Sequence, residues 1–278
     1  MESENPKKTA GSVERKTMLY KTGVEYGDYS MNHVLGCAHG CKYPCYAFLM
    51  KKRFGITKYY KDWIEPQIVS NTLELLDQEI PRLRDKIKTV QLCFSTDPFM
   101  FGFPEVEKLS LAAIRKLNDA GIKCVVLTKG VLPDELANLS KENEYGITLV
   151  STNEEFRTRY EPGAAPLEDR VAALKTLHDS GCKTWVSVEP FPTPNIFPQD
   201  LDELLETIGF VDRIVFGRMH YNAEVAAYSQ YKQFFNDCAK KVATFCEDHG
   251  IDCYIKNGTI SENDEGDKKN ETGEVACR

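Results

Sequence analysis

The sequence predicts an α/β protein, a full or partial (β/α) barrel of about six βα units. Three observations carry that prediction. First, one phrase recurs three times: "LNDAGIKCVVLTKG" (117–130), "LHDSGCKTWVSVEP" (177–190) and "CEDHGIDCYIKNG" (246–258) share an acidic residue, a variable residue, a glycine and a β-rich run. Second, helical periodicity precedes each phrase: Val106, Leu109, Ala113 and Leu117; then Leu167, Val171, Leu174 and Leu177; then Tyr231, Phe234, Cys238, Val242 and Phe245. Third, short β-rich runs stand at 89–96, 145–152 and 212–220. Strands alternating with helices imply a parallel sheet with right-handed crossovers.

Taken in chain order, the polar residues 1–20 read as a disordered segment and 21–258 as the barrel domain. A first strand is expected over Tyr29–Leu35, followed by a loop with three cysteines and then the first helix. "MKKRFGITKYYKDW" (50–63) is the chain's one basic and aromatic cluster and reads as the exposed end of that helix with its loop. In "TVQLCFST" (89–96), period-two alternation puts Gln91, Cys93, Ser95 and Asp97 on one face. Gly121, Gly181 and Gly250 fit the left-handed position that closes a helix, where a Cβ would cost energy. Aligning the three phrases makes Lys129, Glu189 and Gly258 equivalent, so several strands end in polar or ionisable groups, where barrels place their chemistry. Residues 259–278, polar and without periodicity, read as a flexible tail.

Composition narrows the function. No run of 18 apolar residues occurs and the N-terminus is polar, so neither a membrane span nor a secretory signal is expected, and the cytoplasm is the expected compartment. Ten cysteines in that setting point to metal binding, catalysis or burial rather than to disulfides. A net charge of -7 gives no field that attracts duplex DNA.

Cys37, Cys41 and Cys45 fall within nine positions of the expected loop after the first strand. Soft thiolates select iron–sulfur clusters, zinc or copper(I). A structural zinc site would need a fourth ligand, His39 or a distant cysteine. A cubane held by three cysteines would leave one iron open to another ligand.

At this point the chain resembles the radical S-adenosylmethionine (SAM) enzymes, and within them the group similar to spore photoproduct lyase. The matching pieces are "GCAHGCKYPCYA" (36–47), "STDPF" (95–99), "LTKG" (127–130), "STNEEFRTRYEPGAAPLEDRVAALKTLHDSG" (151–181) and "VSVEPF" (186–191). The family's usual spacing is C-x3-C-x2-C with an aromatic residue next; here it is C-x3-C-x3-C followed by Tyr46, with Pro44 as the extra residue. The resemblance implies a barrel of the radical SAM type and a 4Fe–4S cluster on Cys37, Cys41 and Cys45. It also implies reductive cleavage of SAM to a 5'-deoxyadenosyl radical that abstracts a substrate hydrogen, and an external electron donor such as flavodoxin or ferredoxin. Ser95 and Thr96 would face the methionine amino group, with Asp97 accepting from it or ordering the loop; Lys129 would neutralise its carboxylate. Ser151 would contact the ribose or carboxylate side, Arg159 would pair with Glu161, and Tyr46 would stack on the cofactor or pack. Cys93 is, by the same resemblance, a candidate hydrogen-atom donor, against the plainer reading of a small buried hydrophobe.

The substrate is left open among a small molecule, a peptide and a nucleotide. A lesion lyase acting on nucleic acid is one alternative; a zinc-stabilised binding module without catalysis, resting on His39 and the cysteine spacing, is the other.

Overall fold

In the computed structural model, which describes residues 9–23 and 26–261, the three phrases fold as expected. Gly121, Gly181 and Gly250 take φ of 77°, 77° and 68° at helix ends. In each case the following N–H returns to the helix: Ile122 to Leu117 O (2.9 Å), Cys182 to Leu177 O (3.0 Å) and Ile251 to Cys246 O (2.9 Å). These are the closing bonds that a left-handed residue permits.

The described residues fall into two compact units. The first comprises the described residues up to Ile147 together with Arg157–Thr184, the second Thr148–Phe156 together with the described residues from Trp185 onward. Up to the second unit the elements run β1 (Gly11–Val13), β2 (Leu19–Lys21), β3 (Tyr29–Met31), β4 (Val34–Leu35), α1 (Tyr46–Arg53), α2 (Tyr60–Trp63), β5 (Gln67–Val69) and α3 (Thr72–Leu83). They continue with β6 (Thr89–Leu92), α4 (Pro104–Asp119), β7 (Lys123–Thr128), β8 (Glu144–Thr148), α5 (Glu154–Tyr160) and α6 (Leu167–Asp179). The first unit's main sheet has the order β2-β3-β6-β7-β8, parallel throughout except for the antiparallel β2–β3 pair. A small sheet, β1-β5-β4, stands beside the cysteine loop in sequence. The second unit is a run of parallel βα units: β9 (Lys183–Phe191), α7 (Leu201–Ile208), β10 (Arg213–Arg218), α8 (Ala223–Ala227), α9 (Tyr231–His249) and β11 (Asp252–Ile255). All four residues of β6 are buried, as a strand covered on both faces requires. The repeating parallel βα architecture is the expected fold class.

The structure departs from the sequence reading in four places. The strand expected over Tyr29–Leu35 is two strands, β3 paired with β6 and β4 paired with β5. Between them the buried Asn32 turns its Oδ1 to the Ser95 N–H and hydroxyl, both at 3.1 Å. The strand expected over 89–96 stops at Leu92, because Cys93 lies at φ 52° and breaks the alternation. Residues 11–13 and 19–21, inside or bordering the segment expected to be disordered, are β1 and β2; residues 1–8 lie outside the described residues. Long-range polar contacts hold them: the buried carboxylate of Glu79 accepts from the N–H groups of Met18 and Leu19, and Asn71 brackets Arg15 through Oδ1 and Nδ2. At the other end, Thr259 is fully buried and Ser261 exchanges hydrogen bonds with Asn236, while the remainder of the expected tail, 262–278, lies outside the described residues.

Candidate active site

The cysteine loop lies in the first unit and is held from three sides. Cys37 N–H donates to Trp63 O (2.8 Å), and the Tyr60 hydroxyl donates to Cys41 O (2.7 Å). Lys42 N–H donates to Tyr160 O (2.7 Å), and Gly163 N–H to His39 O (2.9 Å). A Cβ on Gly163 would stand 2.1 Å from Ala38 O, so only glycine lets the 160–165 stretch approach this closely. Ala38 N–H reaches Met100 Sδ at 3.2 Å. Cys45 caps α1, whose Leu49 N–H returns to Cys45 O (3.0 Å).

Beside the loop stands a buried polar hub. Glu161, 1% exposed, accepts from the Tyr43 hydroxyl (2.6 Å), the Lys129 ammonium (3.1 Å) and Arg170 Nη1 (3.0 Å). Burial opposes its charge, but Lys129 and Arg170 overcome that and hold the carboxyl down at about 2. Lys129 also contacts the Tyr43 hydroxyl and comes within 3.8 Å of Cys41 Sγ. Burial opposes its charge as well, yet Cys41 and Glu161 keep Lys129 above the usual lysine range. The pair expected between Arg159 and Glu161 does not form. Arg159 is exposed, with its guanidinium over the Tyr160 ring, and Arg170 from α6, fully buried, takes its place.

Asp97 and His39 order the next layer. Asp97 accepts from Thr128 Oγ1 (2.6 Å) and from the N–H groups of Phe99 and Lys129, both at 2.9 Å, so it fixes the loop rather than pointing outward. His39 Nε2 accepts from Phe101 N–H, which leaves the proton on Nδ1, 3.4 Å from Asp97 Oδ2. Burial brings His39 down to about 4, so the ring is neutral at pH 7 and both nitrogens are committed. It has no lone pair left for zinc. Among the described residues no three His, Cys, Asp or Glu side chains converge as a single ion requires. A cubane is different, since its three thiolates bind three separate irons around a volume.

The three thiols remain close enough to influence one another. Burial first, then Asp97 and Cys41, raises the Cys37 thiol; burial pushes Cys41 up to about 11, against the pull of Lys129. Without metal these two thiols hold their protons, and a cationic ammonium waits beside Cys41 to stabilise the thiolate. That donor set fits an iron–sulfur group.

Cys93 departs from its expected orientation. Its left-handed backbone takes it off the face shared with Gln91, and its side chain packs with Val34, Met100, Phe103 and Val106, with Cys37 and Ala38 against the same cluster. The Ser110 hydroxyl is spent on Pro98 O, so it accepts from His33 Nε2–H (2.7 Å), and His33 Nδ1 faces Cys93 Sγ at 3.5 Å as an acceptor. Burial lowers His33 to about 3 and raises Cys93 to about 12. Cys93 is therefore a protonated thiol donating to a neutral imidazole.

The remaining expected residues are placed as follows. Ser95 is buried on Asn32, and the Thr96 hydroxyl donates to Val34 O (3.1 Å). Tyr46, 48% exposed, meets Phe94 edge-on at 5.5 Å. Ser151 belongs to the second unit, where its hydroxyl accepts from Asn153 N–H (3.1 Å) in a local turn. Sequence reasoning missed His33, Tyr43 and Arg170. Arg170 carried a readable signal, because it lies three residues after Leu167 and four before Leu174, on the apolar face of α6.

Comparison with known proteins gives the chain's family and the likeness of its fold. The Radical SAM superfamily model matches residues 31–208. An uncharacterized protein of Acidianus two-tailed virus is 27% identical over 195 residues, covering 67% of this chain and 64% of that one. An uncharacterized protein of Methanocaldococcus jannaschii is 26% identical over 181 residues, covering 64% of this chain and 66% of its own length. The matched region thus spans just under two thirds of each relative. Among solved structures, a spore photoproduct lyase variant with bound AdoMet and dinucleoside spore photoproduct is similar in fold at TM-score 0.64 and 14% identity, over 89% of this chain and 81% of that one. The same lyase complexed with dinucleoside spore photoproduct gives TM-score 0.62 over 88% and 80%. With the family model covering well over half of its length, this chain belongs to the radical SAM superfamily, whose members use a 4Fe–4S cluster and SAM.

Proposed function

We propose that this chain is a radical SAM enzyme in which Cys37, Cys41 and Cys45 hold the cluster and the Lys129–Glu161–Arg170–Tyr43 hub fixes the cofactor's charged end. One observation carries the reading: the loop bearing the three thiols is clamped against a buried hub whose ammonium lies 3.8 Å from Cys41 Sγ. When bound, the cluster and SAM supply reductive cleavage of the sulfonium and a carbon radical able to abstract hydrogen.

The chain's own residues do the rest. Glu161 and the Tyr43 hydroxyl take two of the three protons of the Lys129 ammonium and leave one for a ligand carboxylate or a thiolate. Asp97 and His39 tie Thr128, Lys129 and the 97–101 loop to the cysteine loop, which limits the freedom of that loop. Ser95 is supported as a SAM contact by its position beside Asn32 near this loop, and Ser151 by its motif. Cys93 is supported as a hydrogen-atom donor by its chemistry, since burial keeps its S–H intact.

Anaerobically purified protein should be brown, with about four iron and four sulfide per chain. Replacing any of the three cysteines by alanine should remove iron retention and SAM cleavage together. Full cluster content in Cys45→Ala would show that the third ligand lies elsewhere, and colourless protein carrying one zinc would sink the enzyme reading. The substrate class is open among small molecules, peptides and nucleotides; product analysis after reduction with SAM identifies the bond that is cut.

A further inference from the structure

In the second unit β9, β10 and β11 pair side by side, and the residues at their C-terminal ends form one polar cluster. Glu189 of β9 reaches across β10 to Lys256, the residue after β11, with Oε2 3.1 Å from Nζ. Gly217 of β10 permits the crossing, because a Cβ there would stand 2.9 Å from the Glu189 side chain. Arg218 follows, at the point where the β9–β10 register shifts between Phe216 and Arg218. Irregularities of this kind re-aim side chains at strand ends. Arg218 Nε donates to His220 Nδ1 at 3.4 Å. The His220 ring lies against Gly258, where a Cβ would come within 3.5 Å of its Cε1.

The cluster offers more donors than its own acceptors take. Its one carboxylate, Glu189, is committed to Lys256, and among the described residues Arg218 Nη1 and Nη2 make no hydrogen bond or ion pair. A guanidinium fork matches the two oxygens of a carboxylate or phosphate, and here that counterpart is not supplied by the chain. His220 accepts at Nδ1, which leaves its proton on Nε2 as a further donor. Burial first, then Arg218 and Lys256, lowers His220 below its ordinary 6.5, so the ring is neutral at pH 7 and feels both cations. Two cations against one carboxylate give the cluster a net positive charge in a chain whose net charge is -7. Arg218, His220, Lys256 and Glu189 are all half-buried, which keeps them reachable while weakening the screening by water. Directly after His220, Tyr221 holds φ 56°, a left-handed backbone that a non-glycine residue keeps mostly where function over-determines it.

We propose that Arg218, His220 and Lys256 bind the anionic group, a phosphate or a carboxylate, of a ligand received at the C-terminal ends of β9–β11. Such strand ends are where parallel α/β proteins take their ligands. Glu189 acts as a positioning residue: it holds the Lys256 ammonium over Gly217 and leaves the Arg218 fork open. The site goes beyond the cofactor reading, since none of the residues assigned to the cluster or to SAM belongs to it. It also selects by charge. A neutral isostere would leave the half-buried fork unpaired, whereas an oxyanion satisfies it with charge-assisted hydrogen bonds.

Inorganic phosphate and succinate, titrated separately into the full-length chain at low salt, are the probes. At least one should bind saturably in calorimetry with a Kd of about 1 mM or tighter, and the tighter of the two names the group. Arg218→Ala should weaken that binding about tenfold or more, and Arg218→Lys by less, because lysine keeps the charge without the fork. Lys240→Ala, exposed on α9, should leave it unchanged. One readout needs no variant of the fork: the bound anion should raise the pKa of His220, followed by NMR, by offsetting the two cations beside it. Absence of saturable binding by either probe, unchanged affinity in Arg218→Ala, equal loss in Lys240→Ala, or a His220 pKa that the anion does not move would each overturn the proposal. Brown protein with full iron content and no anion affinity would overturn this proposal alone; colourless protein that binds the anion would overturn the cluster reading alone.

Discussion

Lys129 meets Glu161 at 3.1 Å in the first unit, and Lys256 meets Glu189 at the same distance in the second. Each lysine directly follows a strand, β7 in one case and β11 in the other. Their surroundings differ. The first pair is 14% and 1% exposed and shares its carboxylate with the fully buried Arg170 and with Tyr43; the second is 20% and 26% exposed. Identical chemistry at identical separation therefore does different work. Where water is excluded, each charge depends on its partners, and removing one strands the others. Where water reaches, solvent replaces a lost partner.

The largest expected effect comes from breaking the buried pair. Glu161→Gln leaves Lys129 and Arg170 facing a neutral amide and should cost about 3–5 kcal/mol of unfolding free energy at pH 7, measured by denaturant titration. The sign follows from the depressed carboxyl: its stabilisation is complete above the ordinary pKa of 4.5 and is lost as pH falls through about 2. Wild type and variant should therefore converge in stability between pH 4.5 and 2. A gap that persists at pH 2 would mean that Glu161 acts through packing, not charge.

Next in size is the effect on the cofactor. Lys129→Ala should weaken SAM binding by about 1.5–3 kcal/mol with iron content unchanged, as calorimetry on cluster-loaded protein would show. Unchanged SAM affinity together with lost stability would restrict Lys129 to its pairing with Glu161. Arg159→Ala is the internal control, because its exposed side chain lies on Tyr160 and outside the hub; neither affinity nor stability should move beyond about 0.5 kcal/mol.

The two buried histidines sharpen the same contrast between dry and wet groups. His33 sits near 3 and His39 near 4, both below the ordinary 6.5, chiefly through burial. Each stabilises the fold fully above pH 6.5 and progressively less as pH falls toward its folded value, because the unfolded chain takes up the proton first. Stability should therefore begin to fall below pH 6.5, and His33→Asn should flatten that upper part of the curve. Cys93, the thiol that His33 accepts from, gives a smaller and chemical effect. Cys93→Ala should retain iron and SAM cleavage yet alter the final product; normal product at the normal rate would leave Cys93 as packing.

How much of this was legible in the sequence follows the same division. The helix-closing glycines, the strand-ending Lys129 and the clustered cysteines are local signals, and the structure bears out the glycines and the fold they punctuate. Pairings across long sequence separations were not legible. Nothing in the charged stretch distinguishes the exposed Arg159 from a buried partner for Glu161, two residues away; the true partners come from the residue after β7, the cysteine loop and α6. Likewise, nothing local to Cys93 announces a left-handed backbone, which no alternation rule survives. The ordering of β1 and β2 depends on Glu79 and Asn71, more than fifty residues downstream.

The smallest predicted effect completes the comparison. Glu189 lies over Gly217 of β10, where a Cβ would come within 2.9 Å of its side chain, and its partner Lys256 is half-buried like itself. Both groups keep contact with water, so Glu189→Gln should change stability by no more than about 1 kcal/mol, and added salt should shrink even that difference. Denaturant titrations at low and high salt measure it. Should Glu189→Gln instead cost as much as Glu161→Gln, exposure would not be what separates the two pairs, and the second would belong, like the first, to a site that excludes water. Gly217→Ala then decides the geometry: the added methyl must displace the Glu189 side chain, so it should reproduce the loss caused by Glu189→Gln if the Lys256 contact matters, and exceed it only if β10 itself is strained.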